Sequence, residues 1–219
     1  MNYDYGAESD FAFCDSGGPE MSEQPENTAV YSDAAALADI GEAYFRGMGM
    51  NRDYDKAFIY FRKAADMGDA MALSRLGTCY EKGYGTQINM AEAMNCYEDA
   101  ADQNDTTAFF KLGDFYFDGV ADLVQKDPAR AYECYLSGLM SAYISDDSWT
   151  LPDIQLRIAK CLEQGIGVGK DLKQAYEMYI EATQGYLDRM DSGDVECEEE
   201  LDFAEDKVLY LEKLLSGKN

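Results

Sequence analysis

The sequence predicts an all-α protein, an α/α superhelical solenoid of four short helix pairs followed by a C-terminal capping helix. Three observations carry this expectation. Gly41, Gly77 and Gly113 are separated by 36 and 36 residues, and so are Ala36, Ala72 and Ala108. A fixed period of that length marks small stacked units rather than one compact core. Within a unit, Ala36, Leu37, Ile40 and Tyr44 fall at i, i+3/i+4 spacing, the pattern of one buried helical stripe. Each stripe is punctuated alike, with an Asp before it and a Gly after it.

Residues 1–32 hold seven acids and no Lys or Arg, and Gly17-Gly18-Pro19 and Pro25 interrupt any helix. They read as a flexible acidic tail. Tyr3, Tyr5, Phe11 and Phe13 interleave its acids, as in a docking motif, although a plain solvated tail has the same composition.

Residues 33–185 hold the repeats, in units of about 33–68, 69–104, 105–141 and 152–185. Asp33, Asp69 and Asp105 stand where a side chain caps the first helix of a unit. The small residue at 41, 77, 113 and 159 lets the second helix approach closely. Gly47, Gly83, Gly119 and Gly165 suit a left-handed helix end. Asp53, Asn89, Asp127 and Asp171 then cap the second helices, with Pro128 at a first helical position. Ala57, Phe61 and Ala64, and their counterparts Ala93, Tyr97 and Ala100, give those helices a small-residue face.

Unit three carries two extra residues within Val120–Lys126. The link to unit four is longer than the others and contains Ser145-Asp146-Asp147-Ser148-Trp149. Insertions in repeats map to loops and are often functional. Residues 186–219 read as a turn at Asp191–Asp194 and a helix over Glu196–Leu215, which covers the apolar edge of the stack.

The pattern in Ala36–Ala65 and Ala72–Ala101, with weaker copies at Ala108–Leu139 and Ile154–Thr183, resembles the Sel1-like repeat, a branch of the tetratricopeptide-like helical repeats. Unit four departs most, with Ala159 for Gly and Leu162 for Tyr. The resemblance implies a non-catalytic superhelix that binds proteins or peptides as an adaptor or scaffold. It brings no catalytic motif and no cofactor.

The residues themselves point the same way. The chain has no histidine, hence none of the commonest general base and metal ligand. It has no Walker A loop, nucleophile elbow or zinc-protease motif. Gly165-Ile166-Gly167-Val168-Gly169 falls on an inter-helix turn. The net charge of −25 opposes direct binding to nucleic acid or anionic membranes. No 18-residue apolar run and no secretory leader is visible, so a cytoplasmic location with six reduced cysteines is expected. Cys79 and Cys161 share one register and Cys96 and Cys134 another, as core thiols would.

The charge is unevenly placed. The first helices hold six basic residues, Arg46, Arg75, Lys82, Lys111, Arg157 and Lys160, against six acids. Arg75, Lys111 and Arg157 lie two residues before the small position, so they should form a ladder. That ladder would receive an acidic peptide or a C-terminal carboxylate, unless each cation pairs with a neighbouring acid. Trp149 is the only tryptophan and either anchors the partner or plugs the gap between units three and four. A second function fits the charge: an acidic inhibitor, or nucleic-acid mimic, occupying a basic surface of another protein.

Overall fold

A computed structural model describes residues 33–217; the acidic tail read from residues 1–32 lies outside them. Four helix pairs follow one another: α1 Ala34–Arg46 with α2 Tyr54–Asp66, α3 Ala70–Lys82 with α4 Met90–Ala101, α5 Thr106–Asp118 with α6 Pro128–Ser145, and α7 Leu151–Gln164 with α8 Leu172–Asp191. A single 3₁₀ turn, Val195–Cys197, leads into α9, Glu198–Leu215. Each helix packs on its pair-mate and on the next helix in the chain, and α9 packs on α8.

The caps show why these segments become helices. Asp69 and Asp105 each accept a hydrogen bond at 2.8 Å from the backbone N–H three residues on. Asp53, Asn89, Asp127 and Asp171 do the same at the start of the second helices. Each satisfies a donor that the first helical turn leaves orphaned. The start of α7 has no such side chain; there Asp147, in the long linker, accepts from the backbone N–H of Trp149 and Thr150.

The turns inside the pairs also repeat. The N–H of the second-helix cap returns to the first helix: Asp53 to Tyr44, Asn89 to Tyr80, Asp127 to Tyr116 and Asp171 to Leu162, all between 2.8 and 3.0 Å. Gly47, Gly83 and Gly165 adopt the left-handed conformation. Gly119 departs from the expectation, with φ 72° and ψ 159°. The two extra residues of unit three are the reason. They fold into a small loop closed by reciprocal Val120–Val124 backbone bonds, which redirects the chain at Gly119 yet leaves the Asp127–Tyr116 bond intact.

The small position is where the pair-mates touch. A Cβ on Gly41 would lie 2.6 Å from the Phe61 ring, one on Gly77 2.7 Å from Tyr97, and one on Gly113 2.3 Å from Tyr135. Aromatic rings of the second helices thus lie on bare backbone of the first. Packing at van der Waals distance offsets the cost of about 1 kcal/mol for Gly in a helix interior.

The core runs the length of the stack. Tyr97, Tyr135, Tyr179, Tyr186 and Phe61 are its largest buried side chains. Cys79, Cys96, Cys161 and Cys197 are buried free thiols, while Cys134 is only half-buried. Ala204 and Leu211 of α9 are fully buried. In sequence register α9 is the first helix of a fifth unit: Lys207 takes the place of Arg75, Lys111 and Arg157, and Leu209 takes the place of the small residue. Among the described residues no second helix lies upon it, and Leu209 is exposed. Glu205 and Glu212 flank it, and Phe203, Tyr210 and Leu214 are exposed on the same helix.

Candidate functional site

The first helices are joined to one another by a line of charge contacts. Arg75 on α3 meets Glu42 on α1, Lys111 on α5 meets Glu81 on α3, Arg157 on α7 meets Asp114 on α5, and Lys207 on α9 meets Glu163 on α7. Three of the four carboxylates also accept a tyrosine hydroxyl at 2.8 Å from their own second helix: Glu81 from Tyr97, Asp114 from Tyr135 and Glu163 from Tyr179. Unit one has Phe61 at that position, and Glu42 accepts from Arg46 instead.

Each triad holds one unit against the next. Arg157 is bidentate, Nε to Asp114 Oδ1 at 2.6 Å and Nη2 to Oδ2 at 2.7 Å, the strong planar form of this pair. Burial alone would push the Glu81 carboxyl up, but the Lys111 charge and hydrogen bonds from Lys82 and Tyr97 hold it below its ordinary value. The structure therefore places Arg75, Lys111 and Arg157 in pairs with acids of the neighbouring unit. Lys82 lies 2.7 Å from Glu81. Lys82, Lys111 and Arg157 border a cavity of about 330 Å³ together with Asp114 and Asp118. Lys160 stands apart, 4.5 Å above the Phe203 ring of α9, where burial lowers its pKa.

The other predicted residues meet elsewhere. Arg46, Arg75 and Trp149 line a cavity of about 550 Å³, and Arg52 and Arg189 join them there. Its floor is aromatic. Tyr54 and Tyr84 stack at 4.5 Å between centroids, and Phe45 sets its edge against both. Its far wall is the turn at Ser192–Glu196. Trp149 bridges the two sides, with the Arg46 guanidinium 5.3 Å and the Arg189 guanidinium 5.0 Å from its ring centroid. A residue of unit one thus touches the linker between units three and four, so the stack curls toward the side on which these residues lie.

The arginines differ in how far they are neutralised. Arg189 donates to Asp194 and Asp153 at 2.7–2.9 Å. Arg75 donates from Nη2 to Glu42 at 3.1 Å. Arg52 is exposed, donates at 3.2 Å to the Tyr54 hydroxyl, and has no acidic partner among the described residues. Arg52 sits in an inter-helix turn and Arg189 beyond the last repeat, so neither belongs to the register that pointed to the ladder. The pairing of α7 with α8 sets Arg189 against Trp149, and the curl of the stack brings Arg52 to the same cavity. No cluster of three His, Cys, Asp or Glu able to hold a metal ion occurs among the described residues. No described helix is long and apolar enough to cross a membrane.

The Sel1 repeat model matches at residues 34–69, 70–105, 108–140 and 152–185, which is more than half of the chain. The chain belongs to the Sel1 repeat family. A crystal structure of a Sel1 repeat protein from Oxalobacter formigenes is similar at 30% identity and TM-score 0.56, over 72% of this chain and 63% of that one. A protective antigen of uropathogenic Escherichia coli strains displaying an SLR fold aligns at 25% identity and TM-score 0.46, over 69% of this chain and 38% of that one. The chain thus spans less than two thirds of the length of either solved relative. No curated protein matches it. Sel1 repeats are generally protein–protein interaction scaffolds, and the fold is typically non-enzymatic.

Proposed function

We propose that this Sel1 repeat protein is a non-catalytic adaptor that takes an acidic segment of a partner, or its C-terminal carboxylate, into the cavity between unit one and the Ser192–Glu196 turn. The observation that carries this reading is Arg52. It is a cation without an acidic partner among the described residues, lining a cavity that gathers four arginines from a chain of net charge −25. A carboxylate there would gain a charge-assisted bond and displace none of the existing pairs. Trp149 and the Phe45–Tyr54–Tyr84 floor offer apolar area for a neighbouring side chain. The ladder cations Lys111 and Arg157 act in this reading as struts between units.

The test is selection from two displayed peptide libraries, one with free C-termini and one with internal acidic segments. Arg52→Glu and Arg46→Glu variants serve as controls. Acidic peptides that bind the native protein and lose about tenfold or more of their affinity to Arg52→Glu would support the reading. Selected peptides without acids, or indifferent to Arg52, would refute it.

A second reading, the acidic inhibitor, has its own support in α9. That helix exposes Glu198, Glu199, Asp202, Glu205, Asp206 and Glu212. It requires a basic protein partner whose binding collapses as salt rises and is unaffected by Arg52→Glu.

A further inference from the structure

A second cavity adjoins the arginine cavity, and the two share Trp149, Arg189 and Ser192. It holds about 420 Å³ between the start of α7 and the long helix α8. One of its lining residues breaks the repeat. Four residues before the small position, units one to three carry Leu37, Leu73 and Phe109, whereas unit four carries Gln155. Gln155 is only 3% exposed. A slot that the repeat fills with an apolar side chain thus holds a primary amide, and burying an amide is unfavourable unless its hydrogen bonds are made.

Gln155 makes one such bond, donating from Nε2 to Glu181 Oε2 on α8 at 2.8 Å; its carbonyl oxygen meets no donor among the described residues. Further along α8, Gln184 donates to Asp188 at 2.9 Å. Helix α8 has 20 residues where α2 has 13 and α4 has 12, and Asp188 stands in the extension. Both carboxylates are held by neutral amides and have no cationic partner among the described residues. Arg189, the cation in the lining, is committed to Asp153 and Asp194. A solvated carboxylate needs no buried amide to hold it. Keeping one in place of an apolar core residue fits a Glu181 fixed in one direction for a ligand.

The lining also selects that ligand's chemistry. Two carboxylates and an open amide carbonyl are acceptors for a positive group with several N–H donors. A guanidinium carries five donors in one plane and pairs strongly with carboxylates. Tyr143 and Leu151, on the same lining, offer apolar area to its aliphatic stem. We propose that this cavity takes an arginine side chain of the partner segment whose acid lies across Trp149 in the arginine cavity. The partner is then recognised as a bipolar segment, with an acid and an arginine on opposite sides of one indole. The acid's place rests on the adaptor reading, whereas the guanidinium site stands on its own residues.

Trp149 is the only tryptophan and borders the cavity, so its emission reports occupancy. The test titrates the full chain with N-acetyl-arginine amide and with N-acetyl-citrulline amide, which has nearly the same shape and no charge. The expected result is a saturable change with the arginine probe, weaker by about tenfold or more for citrulline and for the Glu181→Gln/Asp188→Asn variant. Both altered side chains are exposed, so thermal unfolding should be unchanged. Gln155→Leu, which restores the residue of units one and two, should fold and also weaken the response. A second arm compares acidic peptides bearing arginine or glutamine at stepped distances from the acid. One distance should favour arginine about tenfold, and Glu181→Gln/Asp188→Asn should abolish that preference while leaving the glutamine peptide unchanged. No saturable response to the arginine probe, an equal response to citrulline, or one indifferent to Glu181→Gln/Asp188→Asn would overturn the guanidinium site. No distance favouring arginine would overturn the bipolar segment. Acidic peptides indifferent to Arg52→Glu, with the arginine response intact, would remove the adaptor reading of the first cavity and still support the guanidinium site of the second.

Discussion

Asp114 is the most heavily committed acid in the stack. Its two oxygens take the Arg157 fork and the Tyr135 hydroxyl, so a single carboxylate ties α7 to α5 and α5 to α6. Asp114→Ala leaves a guanidinium and a phenol without their acceptor. Breaking a buried ion pair by removing one partner costs about 3–5 kcal/mol. Here the side chains are 26% and 29% exposed, so the charge part falls below that range, at roughly 2 kcal/mol. The stranded Tyr135 hydroxyl, on a side chain only 2% exposed, adds about 1 kcal/mol. The sum is about 3 kcal/mol, a factor of roughly 100 in the unfolding equilibrium. Urea titration followed by Trp149 fluorescence reads it well, because Trp149 lies at the boundary between units three and four. Asp114→Asn keeps one acceptor and should lose about half as much. Arg157→Ala combined with Asp114→Ala should cost less than the two separately, with a coupling of about 1–3 kcal/mol. A loss from Asp114→Ala within about 0.5 kcal/mol, the range of ordinary surface changes, would refute the view that these triads hold the units together.

Three further outcomes follow from buried groups. Burial raises the Asp105 carboxyl, opposed by the Ser74 hydroxyl and the Ala108 amide; Asp105→Asn keeps the cap and should be as stable as the native chain or more so at neutral pH. That advantage narrows as the native carboxyl takes up its proton in acid, and a clear loss at neutral pH would contradict it. The lowered Glu81 gives the opposite sign: its contribution is complete above the ordinary value of 4.5 and is lost as pH falls through the folded value. Glu81→Gln should therefore flatten the acid side of the stability curve in denaturant titrations at stepped pH, and an unchanged acid slope would count against the Lys111 contact. Burial pushes the Cys79 thiol up to about 12 and those of Cys96 and Cys161 to about 11. These three should take up iodoacetamide slowly in the native protein and rapidly in denaturant; rapid native labelling would show that the core opens.

What the sequence makes legible is the part fixed by backbone geometry. Asp105 and Asn89 cap helices because their short side chains reach orphan amides, and Gly77 stands bare because Tyr97 lies on it; such needs leave a residue type at a set spacing. Gly119 shows the limit, since the same residue in the same register takes another conformation once the loop after it changes length. The ladder cations were visible, but their partners were less so. The acids follow no single register: Glu42 and Asp114 come one residue after the small position, and Glu81 and Glu163 four residues after it. Arg52 and Arg189 carry no periodic mark at all. Arg52 comes to line one cavity with Trp149 and Arg189 through the accumulated rotation of three units, which no local pattern encodes. The α9 register was hidden for a similar reason, since 50 positions separate Lys207 from Arg157 and break the period.

An open stack of units transmits stress only from neighbour to neighbour, and its stability is close to a sum of local terms. The ring of Trp149, held between guanidiniums 143 positions apart in the chain, adds a term that skips the units between. It turns a spring with free ends into one with a clasp. Loosening any joint between unit one and unit four changes the curvature and so pulls on the clasp. Fraying at one end is then felt at the other, and the array should open more nearly all at once than its modular sequence implies.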